Sequence, residues 1–296
     1  MVAGQQRWLP NLRFPQRRIG PVTDPNHVSL GRIGPLEARL ARTMGELTRA
    51  QQLRYHVFYE EMAAIPDARM AAAGRDFDDF DAICDHLLVL DHDVEVRKFR
   101  RRQAQVVGTY RLLRQEVADL NDGFYTADEF AIQPLIDANP NLRFLELGRS
   151  CVLKPYRSKR TVGLLWQGIW SYVVMHNIDV MIGCASLEGT DPSRLAEPLS
   201  FLHHYCAPPE EWNVRAVDDR RVPMNRMAKE SINQRAVLRD LPPLIKGYLR
   251  LGAYIGDGAV VDHQFGTTDV MIILPVSVIS ERYINHYSAD AERHGG

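Results

Sequence analysis

The chain of 296 residues is 45% hydrophobic and 25% charged, which is the composition of an ordinary soluble globular protein. Its 36 basic and 37 acidic side chains nearly cancel, which argues against bulk nucleic-acid binding and makes any anion site local. The four cysteines lie far apart and form no C-x-x-C pair. This spacing fits neither a zinc site nor a disulfide framework, and it indicates a reducing, cytoplasmic compartment.

The first 35 residues form a basic segment that contains several prolines. Such a segment is either a poorly ordered arm or a peripheral contact with an anionic membrane surface. No run of roughly 18 or more apolar residues and no signal-peptide pattern occurs, so we expect no transmembrane helix. Within residues 1–20 cationic and apolar side chains are interleaved without an acid, namely Arg7, Trp8, Leu9, Leu12, Arg13, Phe14, Arg17 and Arg18.

The next region predicts a strand, a helix and a hairpin. Apolar residues over 36–57 fit a short strand followed by a helix, and residues 66–85 fit an acidic loop. Two apolar runs, 86–91 and 106–114, predict antiparallel strands that pair across a charged segment.

Strands and helices alternate in the remainder of the chain. We predict a strand at 144–153, a helix with apolar residues at helical spacing over 162–173, and a strand at 179–187. A helix at 242–252 and a strand at 269–275 follow. This order indicates an α/β (α+β) protein with a mixed sheet flanked by helices on both faces. We predict one domain over residues 36–285, between an N-terminal arm (1–35) and a C-terminal tail (286–296).

The segment 144–163 combines a carboxylate with a cationic turn. Glu146 lies in an apolar strand, and a helix begins directly after the turn. Unpaired N–H groups and the helix dipole favour an anion at that position. The segment therefore predicts a phosphate site beside a candidate general base, with a merely solvated basic turn as the alternative. The cations of the turn are Lys154, Arg157, Lys159 and Arg160.

The chain resembles the ornithine N-alpha-acyltransferases of bacterial ornithine-lipid synthesis. Two long blocks carry the resemblance, ELGRSCVLKPYRSKRTVGLLWQGIW…IDVMIGCASLEGTDP and LPPLIKGYLRLGAYIGDGAVVDHQFGTTDVMIILPV, within residues 36–285. More distantly, the acyl-homoserine-lactone synthases are similar to it in RYHVFYEEM, FDDFD, TYRLL and ELGRS. Both families have the GNAT (acyl-CoA N-acyltransferase) fold.

The resemblance implies an enzyme and a reaction. A 3-hydroxy fatty acyl group passes from acyl carrier protein to the alpha-amine of L-ornithine, which attacks the thioester directly and gives a lyso-ornithine lipid. The implied partners are acyl carrier protein and L-ornithine, with no tightly bound cofactor. Two alternatives stay open: an acyltransferase for another amine (glycine, or a homoserine-lactone-type reaction), and a non-catalytic module that binds an acyl carrier or lipid.

The resemblance places the chemistry on Glu146 and Arg149. Glu146 matches the glutamate of the families' E-x-x-R pattern, where it accepts the proton of the amine directly or through water. A salt-bridged strand residue is the other interpretation. Strict alternation puts Arg149 on the opposite face of the sheet, so we favour a bulge over residues 148–151 that re-aims it. Related acyltransferases splay this strand and expose a backbone N–H to the thioester carbonyl. Cys151 has no paired base nearby in the sequence, and we reject it as a nucleophile.

The resemblance also implies a donor site at the start of the helix. Most glycines of the usual GNAT phosphate loop are missing, and that departure favours a carrier protein over coenzyme A as the donor. The implied residues are Arg157, Lys159, Arg160, Thr161 and Gly163.

A site for the amine follows from the match to the homoserine-lactone synthases. Asp78 and Asp81 would bind ammonium groups, while Arg54 and Arg111 would clamp a carboxylate or hold those aspartates. Solvated acids and a surface helix arginine are the competing interpretations. The histidines show no metal-ligand spacing, so we predict no metal site.

Overall fold

The computed structural model describes residues 28–98 and 101–279, and its centre is a single mixed sheet. The described strands follow the order β1-β2-β3-β4-β5-β6-β9-β8-β7, in which β5 and β6 are parallel and the other neighbours antiparallel. The strands are β1 (Ser29–Ile33), β2 (Leu36–Leu40), β3 (Asp85–Lys98), β4 (Arg101–Arg114), β5 (Phe144–Val152), β6 (Val180–Glu188), β7 (Arg221–Val222), β8 (Tyr254–Asp262) and β9 (Thr267–Pro275).

The described helices are α1 (Met44–Tyr55), α2 (Ala68–Ala73), α3 (Gln115–Ala118), α4 (Gln133–Ala138), α5 (Lys159–His176), α6 (Ala196–Tyr205), α7 (Gln234–Asp240) and α8 (Pro243–Leu251). A π-helical turn, His56–Glu61, continues α1, and a 3-10 turn covers Tyr125–Asp128. The predicted strands and helices at 86–91, 106–114, 144–153, 162–173, 179–187, 242–252 and 269–275 are confirmed.

The sheet begins before residue 36, the position at which the sequence predicts the start of the domain. Strand β1 pairs with β2, and Leu30 of β1 is buried against the core. The remainder of the predicted arm and the C-terminal tail lie outside the described residues, as does the interleaved basic and apolar segment. Within the described part of the chain no helix is both long and apolar enough to cross a membrane.

Alternation along β3 explains why helices cover both faces of the sheet. Leu87 and Val89 pack on the side of α5, whereas Leu88 and Leu90 pack with α1 on the other side. All four side chains are fully buried. Burial of such a side chain stabilises the fold by roughly 1.5–3 kcal/mol, so the pattern of β3 fixes two helical layers at once.

The α1 face of the sheet has a second cover, the segment 115–138. Its side chains Phe130 and Leu135 pack in one cluster with Ile182 of β6 and Ile273 of β9. This segment and α1 therefore lie over different strands of the same face. The polar residues described below lie on that face.

The parallel strands β5 and β6 diverge after a short contact. Their pairing runs only from Phe144 with Val180 to Glu146 with Ile182, although both strands continue for several residues. Gly183 then takes a positive φ of 158°, and a side chain at this position would collide with the carbonyl oxygen of Leu147. Beyond that point β5 pairs with β4 and β6 with β9, which leaves a cleft between the two strands.

Candidate active site

Strand β5 contains a bulge at the mouth of the cleft. Its neighbour β4 advances two residues between Thr109 and Arg111 while β5 advances three, from Cys151 to Gly148. Arg149 lies inside the bulge with φ of 49°, in the left-handed region that a non-glycine residue seldom adopts. The bulge favoured by the sequence is thus confirmed. Residues that their surroundings hold in such a strained backbone conformation are often found at functional sites.

Glu146 is buried beside the cleft and held by the turn at residues 125–126. Its Oε2 accepts a hydrogen bond from the backbone N–H of Tyr125 at 3.0 Å. Its Oε1 accepts one from the backbone N–H of Thr126 at 2.6 Å and another from the Thr126 hydroxyl. Among the described residues these hydrogen bonds hold it, and no salt bridge does.

The environment of Glu146 favours a proton acceptor. Burial raises the pKa of Glu146, and the hydrogen bonds from Thr126 together with the charge of Arg111 oppose that rise only in part. A carboxylate with a raised pKa is a better base near neutral pH.

The bulge turns Arg149 toward the same turn that holds Glu146. The Arg149 guanidinium lies 4.7 Å from the ring centre of Tyr125 and 4.9 Å from that of Phe265. It also pairs with Asp76 at 3.5 Å and with Asp78 at 3.3 Å. Burial alone would lower the pKa of Arg149, but these neighbours raise it. A fixed positive charge therefore lies close to the candidate base.

Arg54 is the centre of a buried ion-pair network. Its guanidinium contacts Asp76 at 2.7 Å and Asp81 at 2.6 Å, and its side chain is 1% exposed. The interpretation of Arg54 as a surface helix residue is therefore wrong. Gln51 also donates to Asp81, at 2.9 Å. Although burial raises the pKa of Asp81, the hydrogen bond from Arg54 lowers it to about 2.

Arg111 connects that network to Asp78. Its Nη1 lies 2.5 Å from Asp78 and 3.4 Å from Asp81. The structure thus brings all four predicted amine-site residues together, with the two arginines holding the two aspartates. Asp81 is 5% exposed and Asp78 is 23% exposed, so Asp78 is the more accessible carboxylate of the pair.

The predicted donor residues lie at the N-terminus of α5, where the chain leaves β5. Ser158 caps the helix by accepting a hydrogen bond from the N–H of Thr161 at 3.3 Å, and Thr161 is buried. Arg157 donates to Glu61 at 2.5 Å, and Arg160 donates to the carbonyl of Ile33 at 2.8 Å. These contacts fix two of the cations.

Two further predicted donor residues lie in the first turns of α5. Lys159 is exposed, and Gly163 has open space beside its Cα. The remaining N–H groups of the first helical turn point out of the helix end, which suits an anionic group.

Cys151 lies on the α1 face, in the apolar cluster of Leu88 and Leu90. Burial raises the pKa of the Cys151 thiol to about 12. The nucleophilic form of cysteine is the thiolate, so this environment agrees with its rejection as a nucleophile.

The sequence analysis missed a set of acidic residues next to Glu146, which we call the acidic trio: Glu129, Asp262 and Asp269. One carboxylate oxygen of each lies within 4.8 Å of the others. Glu129 is far in sequence from Asp262 and Asp269, which lie on the neighbouring strands β8 and β9, so the spacing of the three shows no motif. A signal was present in Asp269, an acid within the apolar run DVMIILP. Asp76, which pairs with Arg54, was missed in the same way.

Two side chains link the acidic trio to Glu146. The Cys184 thiol donates to Glu129 at 3.4 Å and lies 3.7 Å from the hydroxyl of Thr126, which itself donates to Glu146. Burial raises the pKa of Glu129 to about 7, with the charge of Asp269 as the next cause. Glu129 is also paired with Arg220 at 3.2 Å.

Comparison with known proteins identifies relatives over most of the chain. An L-ornithine N(alpha)-acyltransferase of Brucella abortus (strain 2308) is 55% identical over 266 residues, which cover 90% of this chain and 93% of the relative. One of Agrobacterium fabrum (strain C58) is 54% identical and covers 92% and 91%. One of Rhodobacter capsulatus is 39% identical and covers 88% and 97%.

A family model described as an acetyltransferase (GNAT) domain matches residues 53–167. Among solved structures, an N-acyl amino acid synthase from uncultured soil microbes aligns with a TM-score of 0.44 at 10% identity, covering 82% of this chain and 91% of the other. The AHL synthase LasI aligns with a TM-score of 0.42 at 12% identity and covers 80% and 89%. The predicted fold class, a GNAT-like mixed sheet between helical layers, is confirmed.

Proposed function

The chain belongs to the L-ornithine N(alpha)-acyltransferase family, and from that premise we propose that it acylates the alpha-amine of L-ornithine with a 3-hydroxy fatty acyl group from acyl carrier protein. It is an acyltransferase with a GNAT domain. The observation that carries the proposal is a buried carboxylate, Glu146, beside a fixed guanidinium, Arg149, where β5 and β6 diverge.

The amine must lose a proton before it attacks. Glu146 takes that proton directly or through one water, since its Oε2 accepts only one hydrogen bond from the described residues. The amine nitrogen then forms a bond to the thioester carbonyl carbon and the carbon–sulfur bond breaks. The nitrogen gives up its second proton, the departing sulfur takes up a proton and leaves as the thiol, and no acyl-enzyme forms.

The diverging strands provide hydrogen-bond donors for the carbonyl oxygen of the thioester. Backbone N–H groups of β5 beyond Glu146 that face β6 are released from the parallel pairing, which ends at Ile182. A rigid N–H donor of this kind stabilises the negative charge that develops on the thioester oxygen. In the proposed arrangement the acyl group enters the cleft between the two strands, so this N–H donor lies next to the thioester carbonyl.

The substrate's charged groups match the charges around the bulge. Arg149 is the proposed partner of the ornithine carboxylate, because its guanidinium is positioned by two aromatic rings and is 13% exposed. Asp78 orients Arg149 and lies within reach of the alpha-ammonium. Arg54, Arg111 and Asp81 hold this arrangement from behind.

The donor is proposed to enter over the start of α5. Lys159 and the exposed N–H groups of the first turn would contact the phosphopantetheine phosphate, while Arg157 and Arg160 present a basic surface to the acidic carrier protein. We propose that the acyl chain lies against Trp166 and Tyr248, whose rings are 5.3 Å apart. The proposed compartment is the cytoplasm, with peripheral contact to the inner membrane through the basic N-terminal segment.

Purified protein tests the reaction with 3-hydroxyacyl carrier protein and, in separate reactions, L-ornithine, glycine and S-adenosylmethionine. We expect acyl-ornithine to form and the other two acceptors to react at least about tenfold more slowly, the discrimination given by one charged contact. Turnover of glycine without ornithine would refute the acceptor. No turnover of any acceptor would favour a binding module. Equal kcat/KM with the matching acyl-coenzyme A would refute the preference for a carrier protein.

A further inference from the structure

The acidic trio is a concentration of negative charge with little compensation. Glu129 is 4% exposed and Asp269 is 7% exposed. The Arg220 side chain, which pairs with Glu129, is 37% exposed. Among the described residues Arg149 also acts on the group, since its charge lowers the pKa of Asp269. Burial and the charge of a neighbouring acid therefore raise the pKa of both Glu129 and Asp269.

One oxygen of the acidic trio is unsatisfied. Oδ1 of Asp269 is buried and has no hydrogen-bond partner in residues 28–98 and 101–279. A buried acceptor without a partner is destabilising and calls for an explanation, such as a bound water, ion or ligand. Burial raises the pKa of Asp269, while hydrogen bonds from the Ser186 and Thr267 hydroxyls lower it, so the carboxylate as a whole is partly satisfied. The unsatisfied oxygen points to a cationic or hydrogen-bond-donating ligand.

The acidic trio adjoins both ends of the proposed reaction centre. Cys184 and Thr126 separate it from Glu146 on one side. On the other side, Oδ1 of Asp262 accepts the backbone N–H of Phe265 at 3.0 Å, and the Phe265 ring stacks on Arg149. The acidic trio is therefore connected both to Glu146 and to Arg149, the proposed partners of the alpha-amine and the carboxylate.

We infer that the acidic trio of Glu129, Asp262 and Asp269 is the subsite for a second, side-chain ammonium group of the amino-acid acceptor. The inference rests on the proposed function and deepens it, because it names the residues that select a diamino acid over a neutral one. An ammonium group supplies N–H donors to the unsatisfied Asp269 oxygen and neutralises part of the excess charge. It also leaves the alpha-amine beside Glu146.

The test compares L-ornithine with L-norvaline, which has the same carbon chain but lacks the terminal amine. Initial rates are measured with 3-hydroxyacyl carrier protein as the donor. For the unsubstituted protein we expect kcat/KM to be roughly 10- to 100-fold higher with ornithine, the range expected for a charge-assisted hydrogen-bonded contact. Equal values for the two amino acids would overturn the inference without recourse to any variant.

Substitutions then locate the contact. Asp269→Asn and Glu129→Gln keep the side-chain shape and remove a negative charge, and each should reduce the ornithine-to-norvaline ratio of kcat/KM at least about fivefold. Asp240→Asn, at an exposed acid outside the site, is the matched control and should keep the ratio. An equal loss of activity with both amino acids would show a structural or catalytic role for the acidic trio and would refute the subsite.

A metal ion is the rival occupant, because three carboxylates can also hold a hard cation. Dialysis against a chelator should leave the ornithine-to-norvaline ratio unchanged if the inference is right. Loss of activity with both substrates, restored by magnesium or calcium, would refute it. If the unsubstituted protein acylates neither amino acid but does acylate a different amine, the proposed function fails instead.

Discussion

At the scale of single residues, the structure separates two kinds of charged group on one face of the sheet. Arg54, Arg111 and Asp81 are satisfied by one another and are buried. Glu146 and Arg149 lie next to them, but Glu146 is held by hydrogen bonds and Arg149 by aromatic rings and acids at longer distance. We propose that the first group supports the site and that the second carries out the chemistry.

Replacement of Glu146 by glutamine tests its role as the base. The amide keeps the size of the side chain and one acceptor oxygen but cannot take up a proton. We expect kcat/KM to fall about 10²- to 10⁴-fold, the usual contribution of a general base. The matched control is Glu116→Gln, an exposed acid on α3, which should keep full activity.

The pH dependence gives the same substitution a second readout. The base acts in its ionised form, so the rate should decline as the pH falls through the pKa of Glu146, which burial raises above its ordinary value. With norvaline, which does not depend on the acidic trio, Glu146→Gln should lose the part of the acidic limb of kcat/KM that belongs to the enzyme carboxylate. Only the ionisation of the amine itself should remain. An acidic limb that is unchanged in Glu146→Gln would contradict the assignment of Glu146 as the base. So would a loss of activity in this variant that accompanies a loss of thermal stability.

At the scale of elements, β5 and the start of α5 set the geometry. Glu146 and Cys151 both lie on the α1 face although they are five positions apart, which strict alternation forbids and the bulge permits. The sequence predicted the bulge because a regular strand cannot place both side chains of the E-x-x-R pattern on one face. It also predicted α5 from apolar spacing and its anion site from the cationic turn.

A charge reversal at the helix start tests the donor site. Lys159→Glu should raise the KM for 3-hydroxyacyl carrier protein roughly five- to tenfold, since loss of one cation and gain of one anion both weaken attraction to an acidic partner. The KM for ornithine should not change. Arg239→Glu, an exposed cation of α7, is the control. A rise in the KM for ornithine instead would contradict the division of the site into donor and acceptor halves.

At the scale of the whole molecule, hydrophobic periodicity predicted the strands β2 to β6 and β9 and the helices α1, α5 and α8, and two long blocks indicated the family. The periodicity did not predict elements such as α6, α7 and β8, and the predicted loop at 66–85 contains α2. The start of the sheet could not be predicted from the sequence, because β1 is short and lies among prolines. The acidic trio could not be predicted either, since its members come from the segment 115–138 and from two strands near the end of the chain. Only the fold brings such residues together. For the same reason the burial of Arg54 and its pairing with Asp76 were invisible in the sequence.

The most direct test of the central claim is the position of the acyl group on the product. Purified protein is incubated with 3-hydroxyacyl carrier protein and with ornithine carrying a nitrogen isotope at the alpha-amine, and the product is fragmented in a mass spectrometer. A carboxylate base beside the alpha-amine and an acidic subsite for the side-chain ammonium predict acylation at the labelled nitrogen. An acyl group on the unlabelled, terminal nitrogen would contradict the account.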